Sequence, residues 1–226
     1  MRRLNNDQRF IQLYKIATNP SAYSNANRFS KLLQESIDRG FPVDYKLSAD
    51  FLNKLYMDDP NAVYYLDSAT LLHIMMSCGR GEVNQMTDAL LQCGADPNIT
   101  NDKGENALIL AAKYARSSVI ISKLLRKTKD VNHISRTNLT AFEELGKRFP
   151  NLNSSYTGAL EKIKLLLDAG ADPDVDGTLS NLKVTLEAGQ SSKKRLIDYI
   201  ENYLMRKDLK SELTNKDLET SFDYEL

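Results

Sequence analysis

Cysteine is scarce in this chain of 226 residues, with Cys78 and Cys93 standing alone. Two cysteines cannot build a disulfide framework and neither belongs to a CxxC pair, so the expected setting is a reducing cytoplasm. Histidine is equally scarce, and His73 with His133 leave little material for a zinc site. No run of about 18 apolar residues occurs, which argues against a membrane-spanning helix. The start, Met1-Arg2-Arg3-Leu4-Asn5-Asn6-Asp7, carries charge but is not followed by the apolar stretch of a signal peptide. An excess of one charge is missing too: 30 Lys+Arg stand against 30 Asp+Glu. That balance removes the whole-molecule attraction for nucleic acid or a membrane surface. What is present is 42% apolar and 27% charged sequence, enough to bury a core and to make global disorder a poor expectation.

Catalytic patterns are missing as well. Gly79-Arg80-Gly81 lacks the Lys-Ser/Thr that completes a phosphate loop. Asp168, Asp172, Asp174 and Asp176 resemble a calcium loop only superficially, because the closing Glu is absent. No Ser or Cys nucleophile motif accompanies His73, and only Arg80 stands close to Cys78 as a cation that would activate it. The expectation is a non-catalytic protein without cofactor, metal or small-molecule substrate.

What recurs is a phrase. Gly94-Ala95-Asp96-Pro97-Asn98 returns as Gly170-Ala171-Asp172-Pro173-Asp174, with weaker copies at Gly40-Phe41-Pro42-Val43-Asp44 and Lys129-Asp130-Val131-Asn132. Each follows an amphipathic run with a leucine pair: Leu32-Leu33, Leu90-Leu91, Leu124-Leu125 and Leu165-Leu166-Leu167. The glycine suits the left-handed end of a helix, and Asp with Pro then starts a turn. A second phrase opens the other half of each unit. It reads Thr70-Leu71-Leu72-His73, then Asn106-Ala107-Leu108-Ile109 after Gly104, then Thr140-Ala141-Phe142-Glu143 with Asn138 in the glycine's place. From Asn98 to Asn132 is 34 residues.

With these motifs and this period the chain resembles an ankyrin-repeat protein over roughly residues 6–205. The resemblance implies an all-α fold, an ankyrin-repeat solenoid of stacked helix-turn-helix pairs with finger loops and capping repeats. Five units are expected, at about 6–44, 65–98, 101–132, 135–174 and 178–206, within a single domain over 1–206. The fifth pairs a helix near Leu179–Leu186 with one over Lys193–Arg206. Insertions fall at 45–64, where Ser48 could cap an extra helix, and at 149–157, and Arg80–Thr87 lengthens the second unit. Residues 207–226 read as a polar tail; Asp217–Leu226 holds four acidic residues and no basic one, with Phe222 and Tyr224 as candidate anchors.

The resemblance gives His73 a structural task, its imidazole stitching adjacent units near the turn. It also implies contact with a partner through the finger tips and the exposed side of the first helices, the concave surface. Carried over by position, the second unit offers Leu66 and Asp67, with Ala69, Ser77 and Cys78 beside them. The third offers Asp102, Lys103, Glu105, Lys113 and Tyr114; the fourth offers Arg136, Thr137, Leu139, Lys147 and Arg148. Tyr114 and Arg136 stand out because Tyr and Arg dominate interface hot spots. Residues 51–100 carry 2 basic and 6 acidic residues, whereas 101–150 carry 10 and 5. A solenoid lays its sequence out along its length, so the second count becomes a basic band under the proposed groove. The expected partner is one protein with an acidic, partly apolar surface, bound by a monomer or in a heterocomplex and masked or inhibited as by an immunity protein. The alternatives are an adaptor or delivered bacterial effector that tethers two proteins through solenoid and tail, and, more remotely, an enzyme with its site in the insertions.

Overall fold

The computed structural model describes residues 4–18, 25–58, 68–77, 82–114, 116–148, 156–173 and 197–207. Within them lie α1 (Asn6–Thr18), α2 (Asn25–Ile37), α3 (Ala49–Asp58), α4 (Leu71–Ser77), α5 (Val83–Gln92), α6 (Ala107–Lys113), α7 (Ser118–Leu125), α8 (Ala141–Arg148) and α9 (Tyr156–Asp168). A further helical stretch covers 197–207, and no strand occurs among the described residues.

Short polar residues start these helices by satisfying N–H groups that have no intrahelical partner. Asn5 Oδ1 accepts from the Gln8 N–H at 2.9 Å while Gln8 Oε1 accepts from the Asn5 N–H at 3.1 Å, a reciprocal box that opens α1. Thr140 and Glu143 repeat the box at α8, with the Glu143 carboxylate accepting from the Thr140 N–H at 2.7 Å. Asn106 caps Ile109 at 2.9 Å for α6, and Ser48 caps Phe51 at 3.3 Å for α3, the extra helix its sequence position suggested. Three of the outer helices stop the same way. Gly40, Gly94 and Gly170 take φ of 84°, 93° and 91°. The next N–H then reaches back five residues, from Phe41 to Ser36, Ala95 to Leu90 and Ala171 to Leu166, at 2.9–3.0 Å.

The helices pack as two rows. α1, α4, α6 and α8 follow one another as an inner row, α2, α5, α7 and α9 as an outer one, and each inner helix touches its outer partner. The apolar faces meet between the rows, where Phe10, Phe29, Leu72, Met75, Leu90, Leu124, Leu145 and Leu166 are all buried. α6 is sandwiched hardest: Ala107 to Ala112 are each no more than 3% exposed. Three small alanines let α4 and α8 close on it, and truncating Leu108, Ile109 or Leu110 there should cost roughly 2–5 kcal/mol. The fold is thus an all-α solenoid whose pairs bury their faces on their neighbours.

Polar staples run along the same direction. The Asp44 carboxylate accepts from the Asp96 N–H at 3.2 Å, Asn98 Oδ1 from the Lys129 N–H at 2.8 Å, and Asn132 Oδ1 from the Asp172 N–H at 2.8 Å. These are the closing residues of the recurring phrase, each reaching into the next unit. Glu82 reaches the other way, accepting from the Ala26 N–H in the first turn of α2 at 2.7 Å.

Helix starts qualify two stretches that the sequence sets apart from the regular array. Within Arg80–Thr87, the stretch expected to lengthen the second unit, α5 begins at Val83, and Val83, Met86 and Thr87 face the core. Tyr156 and Thr157, read as loop, belong to the first turn of α9. Leu66, Asp67, Cys78, the helix expected near Leu179–Leu186 and the tail from 208 onward lie outside the described residues.

Candidate partner-binding surface

Between α5 and α6, and again between α7 and α8, the chain makes a tight finger. In the first, Asn101 organises the turn: its Oδ1 accepts from the N–H groups of Lys103 and Glu105, both at 2.9 Å, and its own N–H donates to the Glu105 carbonyl at 3.0 Å. In the second, the Ser135 N–H donates to the Leu139 carbonyl at 3.0 Å, and its hydroxyl sits 2.9 Å from the Thr137 hydroxyl. Both turns need a left-handed residue, supplied by Gly104 (φ 69°) and Asn138 (φ 55°). A Cβ on Gly104 would meet the Arg136 backbone nitrogen at 3.0 Å, so the glycine also sets how closely the fingers approach.

The fingers are joined to one another and to the helices. The Arg136 N–H donates to the Lys103 carbonyl at 2.9 Å, and His133 Nε2 lies 2.9 Å from the Gly104 carbonyl. His73 anchors the first finger from below. Its Nε2 donates to the Ile99 carbonyl at 3.0 Å, while Nδ1 accepts from the Thr70 hydroxyl at 2.8 Å and the Thr70 N–H at 3.1 Å. It therefore fills the place that Glu143 fills at α8, a capping box with an imidazole as acceptor. Burial, weakly opposed by the Ile99 hydrogen bond, pushes its pKa down to about 4, so the ring is neutral at physiological pH. The stitching task expected of His73 is the one it performs.

This scaffold sorts the expected contact residues. Asp102, Arg136 and Thr137 stand exposed at the finger tips, with Lys103 and Leu139 half-buried beside them. Tyr114 closes α6 as its C-cap residue and packs half-buried against the core. Lys147 is exposed on the last turn of α8, and Arg148 ends that helix.

Glu105 is different. It is 2% exposed, accepts from Asn101 Nδ2 at 3.0 Å and forms an ion pair with Lys113. Its expected role as a surface contact is corrected: the finger folds its carboxylate inward, where it holds Lys113 in place. Partial burial works against the Lys113 charge, but the hydrogen bond and charge of Glu105, with Glu144 nearby, outweigh it and raise that ammonium above its usual value. Ala69 is likewise buried, and Ser77 donates to the His73 carbonyl at 2.6 Å.

The basic band is also thinner than its count. The Lys123 ammonium pairs with Asp88 at 2.6 Å, Lys127 donates to the Leu91 carbonyl at 2.5 Å, and Arg116 donates to the Met76 carbonyl at 2.7 Å. These cations tie neighbouring units together along the outer side. On the finger side Arg136 and Lys147 are exposed. The structure adds Ile134, an apolar side chain 43% exposed two residues before Arg136.

In the comparison with known families, a model of ankyrin repeats in three copies matches residues 72–177. Residues 72–177 of this chain are ankyrin repeats. Ankyrin repeats are protein–protein interaction modules and are generally non-catalytic. A comparison with curated proteins finds no match. In this chain no group of three or more His, Cys, Asp or Glu able to hold a metal occurs among the described residues. No described helix is long and apolar enough to cross a membrane.

Proposed function

We propose that this chain binds one protein partner through its fingers and inner helices, and masks or inhibits it. The observation that carries the reading is the pair of cross-braced fingers holding Asp102, Arg136 and Thr137 outward beside Tyr114 and Ile134. Rigid tips lose little entropy on binding, and Arg and Tyr are the residue types enriched among interface hot spots. With Glu105 turned inward, the exposed cations Arg136 and Lys147 outnumber Asp102 among the described contact candidates, which favours an acidic, partly apolar partner surface.

Affinity capture from the native cell, with mass spectrometry, identifies the partner. Titration calorimetry with Tyr114→Ala/Arg136→Ala then tests the surface. A loss of about 100-fold or more in affinity is expected from two central residues. An unchanged Kd would place the contact elsewhere and refute the reading.

A further inference from the structure

The outer helix α2 meets a neighbour along one flank and none along the other. On the first flank Ser30, Gln34 and Ile37 share a furrow with Gln85, Asp88, Ala89 and Gln92 of α5. The buried Leu33 and Leu90 set the two helices in register, and in that register the α5 row matches Arg28, Lys31, Leu32 and Glu35 of α2. These four line a second furrow, of about 520 Å³, on the opposite flank. Its far wall is Gln12, Lys15 and Ile16 of α1, and among the described residues none of α4 or α5 lines it. The furrow therefore lies on the N-terminal end face of the described solenoid, in the position that α2 occupies against α5.

The two matching rows differ in charge. α5 meets α2 with two glutamines, an alanine and Asp88, whose carboxylate pairs with Lys123. α2 instead presents Arg28 and Lys31, with Lys15 across the furrow, around the single carboxylate of Glu35. All four are exposed, and among the described residues the three cations make no ion pair. The connection between the walls, Asn19-Pro20-Ser21-Ala22-Tyr23-Ser24, brings no charge to offset them. The floor is apolar, with Ile16 buried and Leu32 half-buried. Capping an end face calls for polar residues of either sign. Three cations around one carboxylate go beyond that.

We propose that this furrow seats an acidic amphipathic helix of a protein partner, laid along α2 as α2 is laid along α5. Shape is the first support. The receiving row is the one by which this chain already packs helix on helix, and α2 fills its own seat with residues at i, i+4 and i+7. Charge is the second, since carboxylates on such a row complement Lys15, Arg28 and Lys31 while one apolar side chain covers Ile16 and Leu32. The apolar floor and the net charge of zero favour a protein helix over nucleic acid. The furrow belongs to the first helix pair, whereas the fingers join α5 to α6 and α7 to α8, so this contact is separate from the one at the fingers.

The test is amide NMR on the full chain, titrated with an alanine-based helical peptide of about 16 residues whose i, i+4 and i+7 row reads Glu, Leu, Glu. Saturable shift changes are expected at residues 12–16 and 28–35 and not at the fingers, 101–105 and 135–139. Arg28→Glu/Lys31→Glu, both exposed, should weaken binding at least about tenfold and admit the same peptide with lysine in place of glutamate. Glu35→Lys should tighten it instead. Tyr114→Ala/Arg136→Ala should leave it unchanged, so the furrow contact and the finger contact stand or fall separately. No binding at millimolar peptide would overturn the proposal. So would equal binding of polyglutamate without leucine, or of a short oligothymidylate, either of which marks a general anion surface. Shifts at the same residues that grow with protein concentration alone would assign the furrow to a second copy and overturn it equally.

Discussion

Lowering the pH should loosen the solenoid through one imidazole, and the size of the effect can be worked out. His73 is 2% exposed and its Nδ1 faces two donors, the Thr70 hydroxyl and N–H. A proton on Nδ1 would turn the acceptor into a third donor, so the folded protein resists it down to about pH 4. An unfolded chain takes up the same proton near pH 6.5. Because the folded pKa is the lower one, the unfolded state binds more protons between these limits, and stability falls as the pH falls. The loss is negligible above pH 7.5, about 2 kcal/mol at pH 5 and about 3 kcal/mol at pH 4. For a domain with a total stability of 5–15 kcal/mol this is a large share. Urea unfolding at pH 7.5, 6, 5 and 4 on the native protein and on His73→Gln separates this group from other titrating residues. The variant is expected to be less stable at pH 7.5, and the gap should narrow by about 1 kcal/mol per pH unit between 6 and 4. A ring that titrates near 6.5 by NMR in the folded protein, or a gap constant with pH, would refute the argument.

Other outcomes follow from single contacts. Lys113→Met leaves the Glu105 carboxylate buried with Asn101 alone and should destabilise by about 3 kcal/mol in urea, whereas Lys147→Ala, exposed, should stay within about 0.5 kcal/mol. Gly104→Ala forces a left-handed alanine against the Arg136 backbone and should cost about 1–3 kcal/mol; Asn138→Gly should be neutral or slightly favourable. The Thr87 hydroxyl has no hydrogen-bond partner in its buried site, so Thr87→Val should raise stability by about 1 kcal/mol, read as a higher Tm.

Much of this architecture was legible because its turns demand particular residues. The glycines at 94, 104 and 170 and Asn138 in the glycine's place mark left-handed positions, and the structure puts each of them there. Ser68, with φ 52°, occupies the equivalent place before α4 and was not read, since serine carries no such preference. The candidate surface was legible less evenly. Arg136, Thr137 and Asp102 sit at finger tips, where position in the repeat decides exposure. Glu105 was misread because a charged residue in a finger looks solvated until its partner, eight residues along on α6, is known. Counting charges by segment exaggerated the basic band for a related reason. Lys123, Lys127 and Arg116 find their acceptors 35, 36 and 40 residues earlier, in the preceding unit, a distance that no local count can see.

The staples from Asp44, Asn98 and Asn132 have a consequence for anyone who would rearrange this chain. Each joint is made of a side chain in one unit and a backbone N–H in the following one, and His73 adds a joint of opposite polarity, donating to the Ile99 carbonyl. The period of the sequence and the period of the joints are therefore out of step. A unit excised at the borders of its recurring phrase leaves with half of two joints and takes a donor from each neighbour's partner. Units transplanted singly should be poor building blocks, while pairs transplanted together keep one joint whole. The interchangeable part is the seam between two repeats.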